Sequence, residues 1–495
     1  MRRIIFKILR WGLVLLEALV ILFVLFVLLI VEENWRGKCA WEQCKRDLEA
    51  KGEHLDLAYF IPPPIPDEQN FAKTPLLKSL LDYKNDPVTK MAIFDEPDPP
   101  VGKIRVDIKG SDITQPKASG WMIGQHADLQ AWQTYYRTAL PGMAHAPSPA
   151  EDVIAVLGKF DGMLSELKEA ANTRPLSRFS VKYEEGYATV LSHGNILQKI
   201  TRVLALRATA ELSLNHPDEA FADIQFGFRL VDSIQQEPIL ISGLIRISMI
   251  NLLMQPVWEG ITTHRWSDGQ LAKLEFEFQR IDFLSDFIQG IRTERAVAIM
   301  TMTQLLVRRD LMRQLLMTAN LGDHPILSRL YIKGWFEQNM VFMSRSTQEL
   351  ILSVDSKKQL VNVARVIREN NEVRDLFATP YSFLEKSTLP VLSNVSQKYF
   401  QAQIYIDEAA IACAIERYQL IHYALPATLD DLHIASLPHD IINGQPLHYR
   451  LVGDDNYVLY SVGWNGTDEG GKLGKTESGS LDPKQSDWVW SLKPL

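Results

Sequence analysis

The sequence is poor in cysteine, in excess charge of either sign and in catalytic signatures, and it holds a single long apolar run. Three cysteines among 495 residues exclude a scaffold built on disulfides. The 52 basic residues stand against 60 acidic ones, a net charge of -8 without a basic tail, so the electrostatic footprint of a nucleic-acid binder is missing. HExxH, GxSxG, a complete Walker A loop and GxGxxG are all absent, which removes the common signatures of zinc peptidases, α/β-hydrolases and nucleotide sites. What is present is ordinary: 46% hydrophobic and 23% charged residues, the composition of a globular chain. At roughly 150 residues per domain, the length allows about three domains.

The apolar run is Gly12 to Val31, with Glu17 as its one charge. Twenty helical residues extend about 30 Å, the thickness of a bilayer core. Arg2, Arg3, Lys7 and Arg10 precede the run, and Glu32 and Glu33 follow it. The basic flank stays in the cytoplasm by the positive-inside rule, which puts the bulk of the chain on the outer side of the membrane. A cleaved signal has a shorter core, about 7–15 residues, ending in small residues; Leu28-Leu-Ile-Val-Glu-Glu33 does not. Ile239 to Met254 is the next most apolar segment, but Arg246 and Asn251 interrupt it, and it reads as a buried amphipathic helix.

Glu17 is an ionisable group inside a membrane segment, which makes it a functional candidate. Gly12 followed five residues later by Glu17 resembles the prepilin cleavage pattern. That resemblance implies processing after Gly12 and a role for Glu17 in packing neighbouring subunits. The stretch before Gly12 departs from the pattern, because Ile4, Ile5, Phe6, Ile8, Leu9 and Trp11 are apolar where prepilin leaders are mostly polar. The alternative reading is a Glu one turn inside the interface that snorkels to water.

Beyond the membrane, Glu32 to Lys51 is rich in charged helix formers, so the spanning helix is expected to continue outward until Gly52. Cys39 and Cys44 lie on it, five residues apart and on different faces, so they read as free or intermolecularly paired thiols. Ile61-Pro-Pro-Pro-Ile-Pro66 reads as an extended polyproline spacer. Residues 67–124 are irregular, with Lys103 to Ile108 alternating like a strand.

Residues 125–387 carry helical periodicity. Ser148-Pro149-Ala150-Glu151 and Ser267-Asp-Gly-Gln270 are capping boxes. Ile196, Leu197, Ile200, Val203, Leu204 and Leu212 mark one core stripe, and Leu305, Leu306, Leu311 and Leu315 another. Leu206 to Ile234 resembles one tetratricopeptide unit, with small residues at Ala208, Ala220 and Gly227, but a 34-residue step does not repeat it. An irregular bundle or degenerate solenoid follows. His193, His216, His264 and His324 read as helix-end or surface residues, and Arg308, Arg309 and Arg313 as a solvated face or a contact to an acidic partner.

The C-terminal part reads as a long helix, Thr388 to Tyr423, then a small antiparallel sheet. Leu447 to Leu451 pairs with Tyr457 to Val462, and Trp488 to Leu492 adds a third strand. Thr428 caps a short turn between them. The order Arg417-Tyr418, Leu425-Pro426, Leu429 to Leu432, Leu437-Pro438, Asp440, Gly444, Pro446-Leu447, Tyr449-Arg450, Tyr457, Leu459-Tyr460-Ser461, Gly463, Asp468 and Gly470-Gly471 resembles the globular part of the major pseudopilin of type II secretion, over roughly the last 90 residues. Asp440 is followed by Ile where that family has Pro, and the long helical middle has no counterpart there. The combination of anchor, Asn34-Trp35-Arg36-Gly37, helical middle and this tail is similar to uncharacterised membrane-anchored helical proteins of planctomycete- and verrucomicrobia-type bacteria. The pseudopilin resemblance implies a calcium loop built from the Leu459 carbonyl, Ser461, Asp468 and Asp487. An EF-hand is a different matter: counted from Asn465, position twelve is Thr476, where a bidentate Glu is required.

The expected protein is therefore mainly α, with a small C-terminal α+β module of pilin-like type. Its segments are a cytoplasmic stretch 1–11, a membrane span 12–31, a stalk and spacer 32–66, an irregular region 67–124, a helical domain 125–387 and the tail 388–495. It is expected in a bacterial cytoplasmic membrane with its body in the periplasm. There it would act as a non-enzymatic interaction or scaffold module with an unknown protein partner, no nucleic acid, and calcium as the one cofactor the tail suggests. The rival expectation is a pseudopilin-like assembly component.

Overall fold

The structure, a computed structural model, describes residues 2–78, 80, 83–85, 92–94, 100–108, 113–117, 119–142, 144–307, 332–375, 379–434, 436–474 and 481–494. The expectations for Arg308, Arg309, Arg313, Leu311, Leu315, His324 and Thr476 fall outside these residues. In chain order the helices are α1 (Arg2–Glu49), α2 (Pro75–Lys78), α3 (Leu129–Ala139), α4 (Pro149–Leu157), α5 (Asp161–Thr173), α6 (Ser192–Ser213), α7 (Pro217–Asp232), α8 (Leu240–Thr262), α9 (Asp268–Gln279), α10 (Phe283–Val307), α11 (Lys333–Leu352), α12 (Val363–Asp375) and α13 (Phe383–His422). Three small antiparallel sheets complete the described chain: β1 (Tyr83–Asn85) with β2 (Ala92–Phe94), β3 (Val354–Asp355) with β4 (Leu360–Val361), and β5 (His448–Leu451), β6 (Tyr457–Ser461) and β7 (Trp488–Ser491) with β6 in the middle. The chain divides into two compact units. The smaller holds Met1–Tyr59, Glu294–Leu350 and Arg368–Leu392, and the larger holds the rest.

The smaller unit is organised by α1. Its apolar stretch is open: Leu13 to Leu29 and Val31 are exposed wherever they are large and hydrophobic. From Glu33 onward the same helix enters a core, burying Glu33, Gly37, Cys44 and Leu48 at four- and seven-residue steps on one face, as a helix of period 3.6 must. Cys44 and Leu48 pack on Val341 of α11, and Trp41 packs on Met302, Leu305, Phe336 and Met340. Gly37 and Gly334 make the closest crossing. A Cβ on Gly37 would lie 2.4 Å from the Gly334 Cα, and one on Gly334 would lie 2.0 Å from the Glu33 carbonyl oxygen. Asn34 fastens the crossing, its Oδ1 accepting the Gly334 N–H at 2.8 Å. Arg295, fully buried, pairs with Glu53 and donates to Gln348 at 2.8 Å. Gly52, with φ +81°, ends the helix as expected. Cys39 and Cys44 are free thiols.

In the larger unit α6 and α7 form the helical hairpin expected from Leu206 to Ile234. Ala208 and Ala220 are fully buried in it, and α8 packs on both helices. Gly227 faces Leu253 of α8, where a Cβ would come within 2.4 Å of Leu253 Cδ2. Arg207 of α6 grips Asp223 of α7 through Nε and Nη2, each at 2.5 Å. Both expected capping boxes form, at Ser148–Glu151 and Ser267–Gln270. The apolar segment near residue 240 is the core helix α8. It is long and apolar enough to cross a membrane by composition, but 67% of its most apolar window is buried within the protein.

Two readings need correction. Lys103 to Ile108 is not a strand: Lys103 closes a 3-10 turn that starts at Pro100, and the rest is irregular. The alternation was real, since Ile104 and Val106 are buried, but the segment is held by side chains instead of a neighbouring strand. The Ile108 N–H donates to the Tyr135 hydroxyl and the Tyr136 hydroxyl donates to the Val106 carbonyl. His193 is neither a cap nor a surface residue. It is buried, stacked on Phe179 at 4.2 Å, with Nε2 2.7 Å from Glu237.

Candidate functional site

The long helix α13 and the sheet β5–β6–β7 stand where the sequence puts them, within a few residues at each end. Every residue of β6 and β7 is buried, so these two strands are covered on both faces, whereas β5 is half-buried to exposed. Trp258 of α8 donates its indole N–H to the Ser491 carbonyl at 2.8 Å. The turn at Thr428 is present too, with the Thr428 N–H bonded to Asp431 at 2.8 Å.

The four residues proposed for calcium lie around one end of this sheet, but each is engaged separately. Leu459 sits mid-strand, opposite Tyr449 and Trp490. Ser461 donates its hydroxyl to Asp440 Oδ1 at 3.0 Å. Asp468 accepts from the Gly470 N–H at 2.8 Å and the Tyr460 hydroxyl at 3.1 Å, and the Gly470 bond leads in holding its pKa down. Asp487 accepts from the Gly471 N–H at 2.7 Å and from Glu469, while burial pushes its pKa up to about 6. Asp440 is the organiser of this corner: fully buried, it also takes the N–H groups of Ile442 and Val462, both at 2.9 Å. Among the described residues no group of three or more His, Cys, Asp or Glu is arranged to hold a metal ion.

Sequence reading passed over the acidic pair at the centre of α13. Asp407 and Glu408 stand in Ile404-Tyr-Ile-Asp-Glu-Ala-Ala-Ile-Ala-Cys-Ala-Ile415. Glu408 is fully buried, and neither carboxyl oxygen has a hydrogen-bond partner. Burial, then the neighbouring Asp440 carboxylate, drives its pKa well up, because both penalise the charged form. Asp407 is pushed up to about 8 by burial, opposed by a hydrogen bond from Gln403. Two adjacent acids inside an Ala- and Ile-rich helical run were the available signal.

Asp407 lines a cavity of about 450 Å³ with Asp282, Gln403, His439 and the Lys357-Lys358 turn. A wider one, about 690 Å³, lies along residues 116–131. There His126 stands 3.4 Å from Glu259, and its pKa is raised by that carboxylate. The loop itself is clamped by Gln255, whose Oε1 accepts the N–H groups of Gly120 and Trp121 at 2.6 and 2.8 Å and whose Nε2 donates to Gln125 and Glu259. No nucleophile is hydrogen-bonded to His126 among the described contacts. The chain matches no family model, no curated protein and no solved structure.

At the other end of the chain, Gly12 and Glu17 lie on the exposed part of α1. A Cβ on Gly12 would meet nothing within 4 Å.

Proposed function

We propose that this is a single-pass, membrane-anchored envelope protein whose body is a non-enzymatic interaction or scaffold module on the outer side of the bacterial cytoplasmic membrane. The observation that carries the reading is the division of α1. One unbroken helix has an apolar half that is open and a charged half built into a core. Carbonate extraction of membranes tests the anchor, and protease accessibility in spheroplasts tests the side. Release by carbonate, or a body protected in intact spheroplasts, would refute the reading.

The assembly reading draws its support from the placement of Gly12 and Glu17 on the exposed, unpacked face of α1. It requires Leu13 as the first residue of the membrane-extracted protein, and N-terminal sequencing that finds Met1 or Arg2 removes it. Calcium at Leu459, Ser461, Asp468 and Asp487 would have to displace hydrogen bonds that already engage Ser461 and both aspartates. A melting temperature that rises with calcium and falls with chelator is the result that would establish the ion there.

A further inference from the structure

The larger unit holds a cavity, about 450 Å³, with an open carboxyl that the functions above leave unused. Gln403, Asp407 and Ala410 of α13 line it, together with Ile281 and Asp282 ahead of α10 and the turn between β3 and β4. Gln403 is buried and sets Asp407 in place. Its Oε1 accepts the Phe283 N–H at 2.8 Å, and its Nε2 donates to Asp407 Oδ1 at 3.1 Å. Asp407 Oδ2 is left without a hydrogen-bond partner, yet it is not sealed in. Asp407 is partly exposed, it lines the cavity, and Oδ2 is not among the side-chain atoms enclosed without a partner.

The charges around this oxygen are unbalanced. Asp282 has both oxygens on neutral donors of Ser285, the N–H at 2.9 Å and the hydroxyl at 2.6 Å. Asp282 and Asp440 repel a charge on Asp407, and Glu408 follows it on the helix. Burial first, then those two carboxylates, pushes the Asp407 pKa up to about 8. An ammonium against Oδ2 supplies the missing donor and a counter-charge for both acids. A divalent metal fits less well. Calcium takes about six to eight oxygens, and among the described residues no group of three or more His, Cys, Asp or Glu is arranged to hold an ion. Lys357, Lys358 and His439 line the same space, so a second positive charge on the ligand meets repulsion. Ile281, Ala410, Leu437 and Pro438 offer apolar surface to a hydrocarbon body. The volume lies within the roughly 300–1,000 Å³ typical of small-molecule sites.

We propose that this cavity binds an organic monoamine, one ammonium on a short hydrocarbon body, with the ammonium on Asp407 Oδ2 and facing Asp282. The inference stands independently of the membrane reading. The test is calorimetric titration of the detergent-solubilised full chain with butylamine and phenethylamine, and with butanol, putrescine and calcium chloride as controls. At least one of the two amines is expected to bind in the millimolar range or tighter, and every control more weakly. Between pH 6 and 7 its affinity should rise roughly tenfold, because Asp407 must give up a proton to pair with the ammonium. Asp407→Asn should weaken binding at least tenfold and flatten that rise, whereas a rise due to His439 would survive it. Ser436→Trp, a change at an exposed lining residue, should block binding and leave the melting temperature of the free protein unchanged. Absence of binding by both amines, any control binding as tightly as the better amine, a flat pH profile, or unimpaired binding by either variant would each overturn the proposal. If Asp407→Asn fails to fold, the pH profile and Ser436→Trp decide it.

Discussion

Among the described residues two helices are apolar enough to cross a bilayer, and they live in opposite surroundings. The apolar half of α1 is exposed along its whole length, whereas α8 has two-thirds of its most apolar window buried. Composition alone scarcely separates them; the polar residues do. In α1 the run carries Glu17 and no other charge. In α8 every few residues a polar side chain has a dedicated partner inside the protein: Ser242 on Glu237, Arg246 on Asp286, Gln255 on the Gly120–Trp121 backbone, Glu259 on the Ala127 N–H. An apolar helix whose polar side chains find partners inside the protein suits a protein core, and one with almost none to satisfy is compatible with lipid.

That contrast can be broken at either helix. The largest effect should come from deleting residues 2–31. The protein is expected to leave the membrane fraction completely yet keep the helical circular dichroism of its body, because the large apolar side chains of Leu13–Leu29 and Val31 are exposed; loss of the body's helical signal would show otherwise. Trp258→Ala in α8 should cost about 3–5 kcal/mol, as for other buried tryptophans, read as a drop in denaturation midpoint. Replacing Gln255 by Leu strands two buried N–H groups and should cost about 1–3 kcal/mol for each; a change within error would mean that the loop at Gly120 is held by other contacts. An arginine at Leu22 should disfavour insertion by roughly 2.5–3.5 kcal/mol without altering the fold of the body, an effect seen in membrane integration and not in melting.

The smallest effect concerns pH. Asp407 has a folded-state pKa of about 8, above its unfolded value of about 3.9. The folded state therefore holds the proton more tightly, and this contribution is complete below about pH 4 and lost as pH rises towards 8. Asp407→Asn should flatten the fall in melting temperature over that interval; an unchanged slope would assign it to other groups.

Periodicity made the helices legible, and local chemistry made their ends legible. Ser148, Ser267 and Gly52 mark boundaries through hydrogen bonds within a few residues, and those boundaries hold. The sheet was readable because β5 and β6 are neighbours joined by a short polar loop. The interior polar network was not. His193 pairs with a residue 44 positions away, and Gln255 with one 135 positions away, and no local pattern encodes such separations. Lys103 to Ile108 shows the same limit, since alternation reports burial of alternate residues without saying whether a strand or two tyrosines lie alongside. The acids Asp407 and Glu408 drew no reading at all, because their isolation among Ala and Ile becomes informative only once both sides of α13 are known to be covered.

The glycine crossing of α1 with α11 has a mechanical consequence. Gly37 lies six residues beyond Val31, about 9 Å along an unbroken helix, with no turn or glycine-rich joint between the apolar run and the crossing. The anchor is therefore a stiff shaft keyed into the smaller unit at its first contact. In the membrane-anchored state proposed above, any tilt or axial rotation of the helix would be handed to that unit undamped, its orientation governed by how the shaft sits in the bilayer and not by a swinging tether.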